Sequence, residues 1–169
     1  WCDNGGTLIA KDSTWRHCHA AQGGGLGIQG LVQLENSSIQ HCRSEGHGGG
    51  LQLAAAASGV LRSVKFGKNQ AANGGGISVE AGARLRGEQV AITSCTADRG
   101  GGLVTLGRST FQHLTIRSCR AETIGGAIAL GRAHPQASLS ITNTNLEDNH
   151  AQYGAAVYGD PTGALTLAD

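Results

Sequence analysis

The stretch "ITSCTADRGGGLVTL", Ile92 to Leu106, sets three consecutive glycines directly before an apolar, alternating run. Glycine loses more backbone freedom on ordering than any other residue, so a triplet at that place needs a geometric cause. The arrangement recurs as Gly23-Gly24-Gly25-Leu26, Gly48-Gly49-Gly50-Leu51, Gly74-Gly75-Gly76-Ile77 and Gly125-Gly126-Ala127-Ile128, and in worn form as Gly154-Ala155-Ala156-Val157. Counting Gly100 of the opening stretch, the first glycines are spaced by 25, 26, 26, 25 and 29 residues. A period of about 20 to 50 residues marks a repeat array such as a solenoid or a propeller.

Other positions keep the same period. Five or six residues before each triplet lie Cys18, Cys42, Asn69, Cys95, Cys119 and Asn149. Three residues before those come Trp15, Ile39, Phe66, Ile92, Ile116 and Leu146, and two residues after them Ala20, Ser44, Ala71, Ala97, Ala121 and Ala151. The unit is therefore apolar-x-x-(Cys/Asn)-x-Ala, a short turn, then Gly-Gly-Gly-apolar.

Inside the unit the apolar residues alternate with period two, as in "LQL" and "ISV" after the glycines and "VAI" and "LTI" before the Cys/Asn position. That is strand patterning. A third segment of variable length, such as "GLVQLE" or "ARLRG", lies between them. Two or three short strands per 26 residues predict one coil of a parallel β-helix, whereas a propeller blade needs about 40 residues and four strands. Successive coils stack about 4.8 Å apart, so each triplet predicts a corner with positive φ or a close approach to the next coil. Cys and Asn share small size and a capacity for burial, which places their column inward beside the Ala column.

The pairing of "FGKN" at Phe66–Asn69 with "GGAI" at Gly125–Ile128 resembles the Phe-x-x-Asn and Gly-Gly-Ala-(Ile/Leu/Val) repeats of polymorphic outer-membrane proteins. These are surface-exposed autotransporter passengers. The resemblance runs from about Gly5 to Val157, although most copies here carry Cys in place of Asn and Gly in place of Ala. It implies a right-handed β-helix acting as an adhesin or surface stalk, without enzymatic activity.

Composition narrows the function classes. Charge is sparse and balanced, 13 Lys+Arg against 12 Asp+Glu, which argues against a nucleic-acid surface. No apolar run approaches the ~20 residues of a membrane span, so no membrane insertion is expected of this segment, and no signal peptide is visible. The absence of methionine and the start at Trp1 lead to the expectation of a processed or excised piece.

The candidate chemistry is thin. Cys18–Cys42 and Cys95–Cys119 occupy adjacent coils, within the Cα separation of roughly 4.4–6.8 Å that disulfides require. Two readings stay open: inter-coil disulfides, which would indicate an oxidising compartment, or a buried column of free thiols. Cys2 is left over. His17 and His41 precede their ladder cysteines and should point outward, with His19 and His47 nearby, so they are metal-ligand candidates or solvated turn residues. The acids Asp12, Glu35, Glu45, Glu88, Asp98, Glu122, Glu147 and Asp148 fall in differing columns, which gives no paired-carboxylate site. Asn36-Ser37-Ser38 is a formal glycosylation sequon. No cofactor is expected. Gly27, Gln52, Ser78, Val104, Ala129 and Tyr158 should form a flat, nearly uncharged outward face for a protein or glycan partner.

Residues 1–169 are thus expected to form a single domain, a right-handed parallel β-helix of about six coils. The first coil begins part-way and "GALTLAD" resembles the middle strand of a further coil, so a slice of a longer solenoid or end-to-end self-association is expected. The functional expectation is a non-enzymatic structural or adhesive module, extracellular or on a cell surface. The alternatives are a filament subunit and a polysaccharide-binding or polysaccharide-cleaving β-helix.

Overall fold

The computed structural model describes residue 2 and residues 5–131, 137–159 and 163–168. Among them there is no helix; short strands succeed one another along the chain, and all of their pairings are parallel. Each strand pairs with its equivalents one repeat earlier and later, which makes a parallel β-helix of about six coils.

Each coil contributes to four ladders. The first runs through Thr7–Lys11, Leu31–Glu35, Ser58–Arg62, the N-terminal halves of Arg84–Thr93 and Arg108–Arg117, Ser138–Thr142 and Ala164–Ala168. The second runs through Thr14–Arg16, Ser38–Gln40, Lys65–Gly67, the C-terminal halves of the same two long strands, and Asn145–Glu147. The fourth carries the alternating runs after the glycines, from Leu26–Ile28 to Val157–Gly159. The third takes in the Ala column and, in later coils, part of the segment expected as a short turn: His19–Ala20, Arg43–Ser44, Gln70–Asn73, Thr96–Arg99 and Arg120–Ile124. Its residues are too polar and too few per coil to show a period-two pattern. It forms because each backbone group there meets its equivalent in the next coil.

The glycine triplet acts in two ways. Gly100 takes φ +61° and turns the chain into the fourth ladder, a conformation open to glycine at no steric cost. Gly101 and Gly102 have no room for a side chain. A Cβ on Gly101 would stand 2.5 Å from the Gly126 carbonyl oxygen, and one on Gly102 2.7 Å from that of Ala127. The following coil lies on the backbone itself.

Two further corners use no glycine. Asp12, Asn36, Ser63, Gln89, His113 and Asn143 turn between the first and second ladders, and His17, His41, Lys68, Ser94, Ser118 and Asp148 between the second and third, all with φ between 47° and 56°. The core is a set of inward columns, including Ile39, Phe66, Ile92 and Ile116. Bulk in one coil is matched by its absence in the next: a Cβ on Gly87 would meet Phe111 at 2.3 Å.

Candidate functional site

The Cys/Asn column faces inward, as its composition predicts: Cys42, Asn69, Cys95 and Cys119 are buried, and Cys18 and Asn149 near the two ends are half-buried. The structure also shows what the two residue types share. Asn69 Oδ1 accepts the backbone N–H of Cys42 in the preceding coil (2.9 Å), and its Nδ2 donates to the Ile39 carbonyl (2.9 Å). Asn149 does the same for Cys119 and Ile116. Cysteine occupies this role with weaker bonds. Cys42 Sγ lies 3.9 Å from the Trp15 carbonyl and Cys119 Sγ 3.8 Å from that of Ile92. Both side chains therefore reach a carbonyl of the coil before, asparagine with a full pair of hydrogen bonds, and size alone is an incomplete account of the column.

In this structure all five cysteines are free thiols, those of Cys18–Cys42 and Cys95–Cys119 on adjacent coils included. Each of Cys42, Cys95 and Cys119 donates to the carbonyl two residues before it, at 3.3–3.5 Å. The neighbouring Cys119 thiol, and burial after it, hold the Cys95 thiol well above its ordinary pKa, so its thiolate, the species that oxidises, is scarce at neutral pH.

His17 and His41 point outward and stack, with ring centroids 5.1 Å apart and planes 18° apart. Stacked rings direct their nitrogens side by side and do not converge on one point. His19 stands apart, with Nε2 4.0 Å from Glu45. Among the described residues no three His, Cys, Asp or Glu side chains group together. Asn36, the sequon residue, is exposed at a positive-φ corner.

Two expectations need correction. Most of the face expected to be outward and free is buried: Gln52 is 7% exposed, Ser78 0%, and Gly27, Val104 and Ala129 are buried as well, while Tyr158 in the last coil is half-buried. Beside Ser78, His47 and Glu80 stand with Nδ1 and Oε1 2.9 Å apart, and Ser78 Oγ donates to the same carboxylate oxygen at 2.9 Å. The His47–Glu80 contact is a hydrogen bond when Nδ1 carries the proton; with the proton on Nε2 alone, Nδ1 is left without a partner. Burial pushes the Glu80 carboxyl up, but donation from His47, Ser78 and Gln52 outweighs it and the net shift is downward. Glu80 in turn raises His47. The acids, expected to fall in differing columns, partly align. Glu45, Asp98 and Glu122 share the third position after the Cys/Asn column, all exposed, and Glu35 and Glu88 flank Arg62 in one register column.

The open polar surfaces lie elsewhere. Over the second ladder, between its two corners, a hollow of about 430 Å³ is lined by Asn36, Ser37, Ser38, Gln40, Ser63 and Lys65. It continues past Gln40 into one of about 200 Å³ bounded by His41, Gly67, Lys68, Thr93 and Ser94. This groove offers hydroxyl, amide and ammonium groups, and no carboxylate lines it. Its residues carry no sequence signature, because its walls are turns whose identities vary from coil to coil. At the far end of the stack, Leu165 and Leu167 occupy inward register positions yet are 38% and 65% exposed.

Among the described residues no helix is long and apolar enough to cross a membrane. Comparison with known proteins found no matching family model, no matching curated protein and no matching solved structure.

Proposed function

We propose that this chain is a non-enzymatic structural and adhesive module of an extracellular or cell-surface protein, a stiff stack of coils that binds a polar partner along its side. The observation that carries this reading is the open groove over the second ladder, lined by hydroxyl, amide and ammonium groups. Such a surface suits the hydroxyls of a glycan and lacks the paired carboxylates that glycoside hydrolysis uses. The resemblance of the repeats to those of polymorphic outer-membrane proteins supports the same reading. The test is adhesion: beads coated with the chain should attach to glycan-bearing cell surfaces, and soluble chain should compete them off. Attachment no greater than that of albumin-coated beads would count against the proposal.

A further inference from the structure

Charges on the outer face of the first ladder follow a rule. Lys11, Glu35, Arg62 and Glu88 are successive register partners, so the sign alternates from coil to coil along the column. Lys11 and Glu35 are an ion pair at 3.1 Å, and on the second ladder Arg117 pairs with its register partner Glu147. Like charges directly opposite on neighbouring strands are destabilising, and this pattern avoids them. Among the described residues one place breaks the rule. Arg84 and Arg108 are direct register partners on adjacent coils, both exposed, and Arg86 lies two residues from Arg84 on the same outward face. Among the described residues none of the three has an acidic partner within ion-pair distance. Between Arg84 and Arg108 is a hollow of about 50 Å³ whose other walls are Gly82 and Gly107, so no side chain of those neighbours fills it.

We infer that Arg84, Arg86 and Arg108 form a binding site for an oxyanion group, sulfate or carboxylate, carried by an acidic polysaccharide. A guanidinium presents a planar fork of donors matched to such oxygens, and two of them a strand spacing apart, about 4.8 Å, can engage one anion from two sides. The anion supplies the negative charge that the alternating column supplies elsewhere. The surroundings favour a glycan over a nucleic acid: Thr110, Gln112, Ser138 and Ser140 continue the outward face with hydroxyl and amide groups, and among the described residues no aromatic side chain stands on it to stack a base. The inference gives the adhesive reading its ligand chemistry and rests on that reading for the polymer; the oxyanion site itself stands on the arginines alone.

The test uses the full chain with inorganic sulfate, a heparin-derived oligosaccharide and single-stranded DNA as probes. Sulfate should raise the melting temperature of the wild type. Arg84→Ser and Arg108→Ser should each remove most of that rise, yet melt no lower than the wild type without sulfate, because a repulsion has gone. Heparin-oligosaccharide affinity should fall roughly fivefold per arginine removed, and Arg62→Ser, between two glutamates, should change it little. Equal protection of wild type and Arg84→Ser by sulfate would overturn the site. DNA binding as tight as that of the oligosaccharide would overturn the glycan assignment. Sulfate protection through Arg84 without adhesion of coated beads would leave the site standing and remove the adhesive reading.

Discussion

Replacing Asn69 by alanine removes both halves of an inter-coil clamp. The side chain is 1% exposed, accepts the Cys42 N–H at 2.9 Å and donates to the Ile39 carbonyl at 2.9 Å. Alanine would leave both backbone groups buried without partners, and water cannot enter without opening the stack. At about 1–3 kcal/mol for each unsatisfied buried group, the cost is about 2–6 kcal/mol, a large part of the ~5–15 kcal/mol that holds a typical domain together. Cysteine is a different substitution here. Elsewhere in the column its sulfur stands 3.8–3.9 Å from the equivalent carbonyl, so Asn69→Cys should cost only about 1 kcal/mol. The converse, Cys95→Asn, should be neutral or stabilising, since its amide would meet the Phe66 carbonyl and the Asn69 N–H. Urea unfolding followed by far-ultraviolet circular dichroism measures all three as midpoint shifts at constant slope. Equal losses for Asn69→Ala and Asn69→Cys would refute the clamp and leave small size as the only property of the column.

A Cβ on Gly75 would lie 2.4 Å from the Gly101 carbonyl oxygen and 2.5 Å from that of Thr96. Gly75→Ala should therefore destabilise by at least ~1–3 kcal/mol, whereas Gly67→Ala, whose nearest neighbours are side-chain atoms at 3.6 and 3.7 Å, should be neutral in the same unfolding assay. The His47–Glu80 pair should contribute within a pH window. His47, raised, contributes fully below its unfolded value near 6.5 and loses that contribution as pH rises through its folded value; Glu80, lowered, contributes above its unfolded value near 4.5 and loses it as pH falls through its folded value. The melting-temperature gap between wild type and Glu80→Gln should thus be widest between about pH 4.5 and 6.5, small in size because the pair is partly solvent-screened; a flat gap would contradict the pairing. Under native conditions iodoacetamide should label Cys2 and Cys18 first and reach Cys42, Cys95 and Cys119 only on unfolding, read by peptide mass spectrometry. Labelling of Cys95 as fast as Cys18 would contradict its burial.

What the sequence disclosed depended on how each column is held in register. The glycines, the Cys/Asn residues and the Ala column follow one another through segments of nearly constant length, so their period survives in the linear chain. First-ladder columns do not, because the turn before them varies. The residue at the alternating-charge position lies 12 residues after the first glycine for Glu35 and Gln112, 14 for Arg62 and Glu88, and 17 for Thr142. Counting from the triplet therefore scatters a column that is straight in space, and both the alternating charges and the Arg84–Arg108 exception were hidden. The corners at His41 and Lys68 were illegible for another reason. The stack imposes their positive φ, and residues as different as His, Lys and Ser accept it. Burial of Gln52 and Ser78 was misread because period two assigns a face but not the side chains, Glu80 among them, that come to lie against it.

The most direct test of a module that binds without cutting is to incubate the chain with acidic and neutral polysaccharides and follow bound protein and new reducing ends in the same tube. The account predicts retention on the acidic polymers, weakened by Arg108→Ser, with no growth of reducing ends over time. Reducing ends that accumulate in proportion to chain concentration would contradict it and make this β-helix an enzyme.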